Sequence, residues 1–129
     1  MNSEHNSDLP VFDKEAFRRR CVYDGELEHT ILHGSLKDLE SQIHKLKQNY
    51  DDQNYQELER TAHALKGTSG TISAMRLHTT AQELELAALA LKEEEKEDTG
   101  GLSRIKNLID LTQQHFLEYN TAVLDHYPS

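Results

Sequence analysis

The sequence has little that would anchor a chain by anything other than packing. It has one cysteine, Cys21, in 129 residues, so no internal disulfide can form. That cysteine is expected to be a half-buried small apolar residue, not a reactive thiol. There is no tryptophan, and there are only two prolines and six glycines. With few breakers and abundant Leu, Glu, Lys and Ala, the composition points to an all-helical class. No strand pattern, internal repeat or glycine-rich phosphate loop after a strand is found. Without an ATP-binding motif the chain is not expected to phosphorylate itself. No run of about 20 apolar residues predicts a membrane-spanning helix, and the first residues lack the basic and apolar regions of a secretory leader. A cytoplasmic location without direct membrane contact is the resulting expectation. Positive charge is scarce too: the formal net charge is −9. That argues against nucleic acid as a partner, which would require a basic patch for phosphate contacts.

What the chain does have is helical periodicity. Residues 1–10 are polar and aperiodic and are read as a disordered arm. Val11–Val22 is predicted as a short helix capped by Asp13, with Phe12, Ala16 and Phe17 packing. Its basic run Arg18-Arg19-Arg20 is read as a solvated helix end, the alternative being a docking rim for an acidic partner. Asp24-Gly25 opens a long helix whose stripe is Leu27, Ile31, Leu32, Leu36, Leu39, Ile43, Leu46 and Tyr50. Gly34 interrupts that stripe without changing its phase. His29 and His33 have the i,i+4 spacing of zinc-binding histidines. No Glu or Cys completes a site beside them, so they are read as an exposed polar pair.

Asp51–Gln53 forms a turn. Asn54 is placed to cap the next helix, with Glu57 in capping-box position, and that helix is expected to stop near Ser73. A further helix from about Ala74 to Lys96 buries Leu77, Ala81, Leu84, Ala88 and Leu91. Its last turn, Glu93-Glu94-Glu95, opposes the helix dipole and is expected to fray. Asp98-Thr99-Gly100-Gly101 is the clearest breaker. A last helix over Leu102–Leu124 turns Ile105, Leu108, Ile109, Thr112, Phe116, Tyr119 and Val123 to one side. The predicted architecture is an antiparallel up-down-up-down four-helix bundle with a short additional N-terminal helix. The domain spans residues 11–125, and residues 126–129 form a C-terminal tail.

The chain is organised around Thr61–Ala74, TAHALKGTSGTISA. At about 100° per residue, Gln56, Glu59, Arg60, Lys66, Gly67 and Gly70 fall within roughly 60° of His63. Leu58, Thr61, Leu65 and Ile72 fall on the far side, with Ala62 and Ser69 on the flank. His63 is therefore predicted to be exposed on a helix whose opposite face is anchored. Beside it lie an ammonium and two missing side chains, although each mid-helix glycine costs about 1 kcal/mol against alanine. A neutral imidazole is nucleophilic near physiological pH, so this face is a sensible place to carry a negatively charged group on a histidine.

His63-Ala-Leu65-Lys66-Gly67, followed by Ser69, Gly70, Ile72 and Ala74, resembles the signature of histidine-containing phosphotransfer (HPt) domains. The likeness continues upstream through Asn54-Tyr55, Leu58 and Arg60 and downstream through Leu77, Ala81, Leu84 and Glu85. It covers about half of the chain. One departure is Ser73, where the family usually has glycine before Ala74. Serine is small, so the helix-to-helix approach there is expected to survive, slightly loosened.

The resemblance implies a phosphorelay intermediate phosphorylated on His63. It would accept the phosphoryl group from a receiver-domain aspartate and pass it to another response-regulator receiver domain. Lys66 offsets the charge, Gly67 leaves room for transfer, and Gln82 and Glu85 orient the imidazole or phosphoryl group. Gln56, Glu59, Arg60 and Gly70 contribute to docking. The implied partners are receiver domains and a hybrid sensor histidine kinase, with the chain itself a monomer. It is a phosphocarrier without its own metal site, and Mg²⁺ comes from the receiver. Two alternatives are the phosphoacceptor domain of a chemotaxis-type kinase and a non-catalytic helical interaction module. A metal-dependent enzyme built on the eight histidines fits poorly, because they are scattered without paired carboxylates.

Overall fold

A computed structural model describes residues 8–94 and 99–128. These form five helices: α1 Lys14–Arg20, α2 Gly25–Asp51, α3 Tyr55–Thr71, α4 Met75–Glu94 and α5 Thr99–His126. No strand occurs among the described residues. In space α3 packs between α2 and α4, while α5 contacts both α4 and α2.

Local side chains start the first three helices. The carboxylates of Asp13 and Asp24 accept from the amides of Ala16 and Leu27, and the Asn54 side chain accepts from that of Glu57. Each satisfies one of the orphan donors of a helix N-terminus. The reciprocal half of the Asn54 capping box does not form. The Asn54 amide is already donated to Asn49, and the Glu57 carboxylate pairs with Arg60 at 3.0 Å.

The same three helices end in a shared way, which the sequence does not signal. After α1, α2 and α3 the chain turns at Val22, Gln53 and Ser73, with φ of 49°, 56° and 58°. At each end paired bonds close the turn, as with Ser73 to Gly70 and Ala74 to Ser69. This is the Schellman arrangement, whose left-handed residue is usually glycine. No glycine among the described residues has positive φ. At Ser73 the requirement is thus a left-handed backbone, not the room between helices expected above.

The core follows the predicted stripes. Leu32, Leu39, Ile43 and Leu46 of α2 are buried, as are Leu77, Ala81, Leu84, Ala88 and Leu91 of α4 and the whole α5 stripe. Cys21 is also buried, and desolvation, reinforced by Glu28 and Asp24, raises its thiol pKa.

The start of α2 differs from its pattern: Leu27 is 41% exposed while Glu28 is 2% exposed. The Glu28 carboxylate accepts from the Tyr127 hydroxyl and lies 3.4 Å from Arg18. Two distant partners thereby draw a charge inward and displace the leucine. Desolvation, with the Glu28 carboxylate beside it, pushes the Tyr127 phenol up to about 12.

The ends of α5 also differ. It begins at Thr99, so Gly100 and Gly101 lie in its first turn, and it runs to His126. Tyr127, in the stretch read as a tail, is 9% exposed. His33 donates from Nε2 to the Tyr127 carbonyl, and His29 likewise to that of Pro128. The two imidazoles stack at 4.1 Å, so these histidines hold the chain's end against α2. Residues 1–7 of the N-terminal arm, Glu95 and Lys96 lie outside the described residues.

Candidate functional site

The site is built on the middle of α3. Leu58, Thr61, Ala62, Leu65 and Ser69 are buried, which fixes the rotation of the helix. The two polar members of that face are satisfied. Asn49 donates to the Thr61 hydroxyl at 2.8 Å, and the Ser69 hydroxyl donates to the Leu65 carbonyl at 2.7 Å. Nothing buried is left unpaired there that would favour another rotation. His63 points the opposite way, with its side chain 68% exposed.

α4 supplies the partner. Glu85, 18% exposed, places Oε2 2.7 Å from Nδ1 of His63 and Oε1 2.7 Å from the Lys66 ammonium. Partial burial would raise the Glu85 pKa. The hydrogen bonds from Lys66 and His63 outweigh that and hold it below the ordinary carboxylate range. An ionised carboxylate can only accept, so the imidazole carries its proton on Nδ1. Its Nε2 lone pair is then free and faces outward.

The neighbouring positions divide. A Cβ at Gly67 would meet nothing within 4 Å, so the surface beside His63 is open there. A Cβ at Gly70 would lie 3.1 Å from Nδ1 of His78, so that glycine makes room for an imidazole from α4 and is not open ground. Gln56 is exposed, Arg60 pairs with Glu57, and Glu59 is tied to Lys92 of α4 at 2.6 Å. Gln82 is exposed and sits one turn before Glu85. The structure thus brings His63, Lys66 and Glu85 into one hydrogen-bonded set, with Gly67 beside it.

Two residues near the site were not placed beside His63 from the sequence, although Arg20 belongs to the run offered as an alternative docking rim. His78 donates from Nδ1 to the Lys66 carbonyl at 2.9 Å. Its signal is the spacing His78, Gln82, Glu85, which steps along one helix face by four and three. Arg20 donates to the carbonyls of Gly70 and Thr71 at 2.7 and 2.8 Å. That bond spans 50 residues and has no local signature.

Among the described residues no group of three or more His, Cys, Asp or Glu could hold a metal ion. No described helix is long and apolar enough to cross a membrane. No curated protein and no solved structure matches the chain. The Hpt domain family matches residues 31–115, about two thirds of the sequence, and the His63 face lies inside that span. Hpt domains carry phosphoryl groups on histidine in two-component signalling and act with receiver domains and kinases as carriers, not as catalysts. The match covers well over half of the chain and includes the outward imidazole with its lysine and its open glycine, so the chain belongs to the Hpt domain family.

Proposed function

We propose that this chain is a phosphorelay intermediate in which Nε2 of His63 takes a phosphoryl group from a receiver-domain aspartate and delivers it to a second receiver. The observation that carries the reading is the Glu85 hydrogen bond to Nδ1, which leaves Nε2 as the exposed nucleophile. In the forward step the Nε2–P bond forms as the acyl phosphate O–P bond breaks, and the aspartate leaves as carboxylate. The imidazole becomes a phosphoimidazolium whose Nδ1–H stays on Glu85, so its positive charge develops against a carboxylate. The return step reverses these changes. Phosphoryl transfer depends mainly on positioning and charge neutralisation. Lys66, held 2.7 Å from Glu85 and one turn from His63, is the ammonium that turns to the phosphoryl oxygens.

Gly67 leaves the approach clear for the partner's loop, and Gln56 and Arg60 border it. The Mg²⁺ and the phosphoryl-bearing aspartate belong to the receiver, and the donor receiver to a hybrid sensor kinase. The scaffold for this exchange is an antiparallel up-down-up-down bundle of α2 to α5, with α1 as the additional helix and the chain acting as a cytoplasmic monomer.

The test is a panel of phosphorylated receiver domains mixed briefly with the chain. At least one should label it within seconds, and the label should be lost in acid and kept in base, as a phosphoramidate is. Label persisting in His63→Gln would overturn the assignment. Because the imidazole is exposed, that variant should fold within about 0.5 kcal/mol of wild type.

A further inference from the structure

The groove running from Lys66 past Gly67 and Gly70 has a far wall that no family motif describes. Its lining is Arg20 from α1, Lys66, Gly67, Gly70 and Thr71 from α3, and Met75 and His78 from α4. The chain has 23 acidic residues against 14 Lys and Arg, yet no Asp or Glu lines this groove. Of the polar residues of the far wall, Arg20 has N–H donors to spare, while His78 spends Nδ1–H on the Lys66 carbonyl and offers Nε2.

The two donors are held in place by the same helix end. His78 uses Nδ1–H for the Lys66 carbonyl, so its Nε2 remains for a ligand. Arg20 uses one nitrogen for the carbonyls of Gly70 and Thr71. A guanidinium has five N–H donors, so donors remain on the exposed side. From His63 to Gly70 is seven residues, roughly 10 Å along the helix. One partner segment crossing Gly67 can therefore touch the imidazole of His63 and this wall together.

Resting on the relay reading above, we propose that Arg20 and His78 are specificity residues. They select a receiver domain that presents a carboxylate on the loop crossing Gly67. A carboxylate is the ligand this wall fits, because it accepts from the guanidinium fork and, with one proton taken up from solvent as it binds, from His78 Nε2–H. Like charge at the same place would be rejected, which gives selection among receivers.

The experiment uses the full chain and the receiver that exchanges fastest in the panel. His63 is labelled with phosphoramidate, which releases ammonia as the imidazole takes the phosphoryl group and needs no docking. Single-turnover transfer to the receiver is then followed at rising receiver concentration. Arg20→Glu should raise the half-saturating concentration about tenfold or more. His78→Ala should raise it about three- to tenfold, as for loss of one hydrogen bond. In both the rate at saturation should stay within about twofold, because the reacting atoms are untouched. Arg19→Glu, with the same change of net charge at the exposed neighbour, should shift half-saturation less than twofold.

Since Arg20 also caps α3, the melting curve of its variant is recorded, and if it does not fold the His78→Ala result decides. Wild-type saturation in both variants overturns the proposal. So does a shift in Arg19→Glu equal to that in Arg20→Glu. If wild type exchanges label with no receiver, it is the relay reading that fails.

Discussion

Replacing Ser73 by glycine should stabilise the protein, and the structure says by how much. Ser73 holds φ of 58° at the left-handed position after α3. An L-residue with a Cβ is disfavoured there by roughly 1–2 kcal/mol, a penalty glycine does not share. Its hydroxyl is buried and has no hydrogen-bond partner, and stranding such a group costs about 1–3 kcal/mol in mutational series. Two effects oppose the gain. Glycine widens the unfolded ensemble by about 0.4–1 kcal/mol, and the buried Cβ is lost, at about 0.8 kcal/mol for one carbon. The balance of the mid-range figures is about 2 kcal/mol in favour of glycine, or about 6–10 °C in melting temperature for a domain of this size. Urea midpoints and calorimetry on the two proteins measure it. Ser73→Ala separates the contributions, since it removes the hydroxyl and keeps the Cβ in a left-handed residue. By the same figures it should gain about as much as Ser73→Gly, because the strain it keeps is offset by the Cβ burial and the narrower unfolded ensemble it also keeps. A melting temperature unchanged or lowered in Ser73→Gly would refute the strain argument. A Ser73→Ala variant no more stable than wild type would remove the share assigned to the stranded hydroxyl.

Other variants test the site. Gly67→Gln should abolish transfer while melting at or slightly above wild type, because its Cβ meets open space and a mid-helix glycine is removed. A collapsed melting temperature would mean that the position faces the core. Lys66→Ala should slow transfer or shorten the phosphohistidine lifetime with folding nearly unchanged, since alanine is a good helix former. Wild-type kinetics would reduce this lysine to surface charge. The depressed pKa of Glu85 makes stability depend on acid. A carboxyl whose pKa is lower when folded contributes its stability above the unfolded value, near 4.3, and loses it as pH falls through the folded value. Urea midpoints compared at pH 7 and below pH 4 should therefore fall further in wild type than in Glu85→Gln, and parallel losses would show that this carboxylate is not the coupled group.

The parts of the fold legible in the sequence are those set by side chains within one turn of each other. The apolar stripes, the caps at Asp13, Asp24 and Asn54, and the two faces of α3 all rest on such spacing. His63 and Lys66 could be placed together from α3 alone. Glu85 could be named from its likeness to a family, but its distance from both could not. What was illegible depends on partners far along the chain. Glu28 lies inside because Tyr127, 99 residues away, donates to it. Gly70 looks like open ground on a helical wheel, yet His78 fills that space from α4. The ends of α1, α2 and α3 were hard to place for a different reason: the left-handed residues there are Val22 with Tyr23, Gln53 and Ser73, and none is the glycine that marks such a turn. Conversely Gly100-Gly101 signals a break but is absorbed into the first turn of α5.

The end of α3 shows why residues beyond the family match matter to the site. Helix α3 carries glycines at 67 and 70, and its last carbonyls have no partners within the helix. The turn at Ser73 returns two amides, to Gly70 and Ser69, and further donors come from elsewhere in the chain. Here Arg20 donates to the carbonyls of Gly70 and Thr71, the Tyr119 hydroxyl donates to that of Ile72, and the Asp13 amide donates to that of Ser73. All three donor residues lie outside residues 31–115. α1 is in turn held by Arg18 at Glu28, the carboxylate that also receives Tyr127. The motif supplies the imidazole, the lysine and the glycine. The bonds that close the end of α3 come from α1, from the residue that caps α1, and from α5.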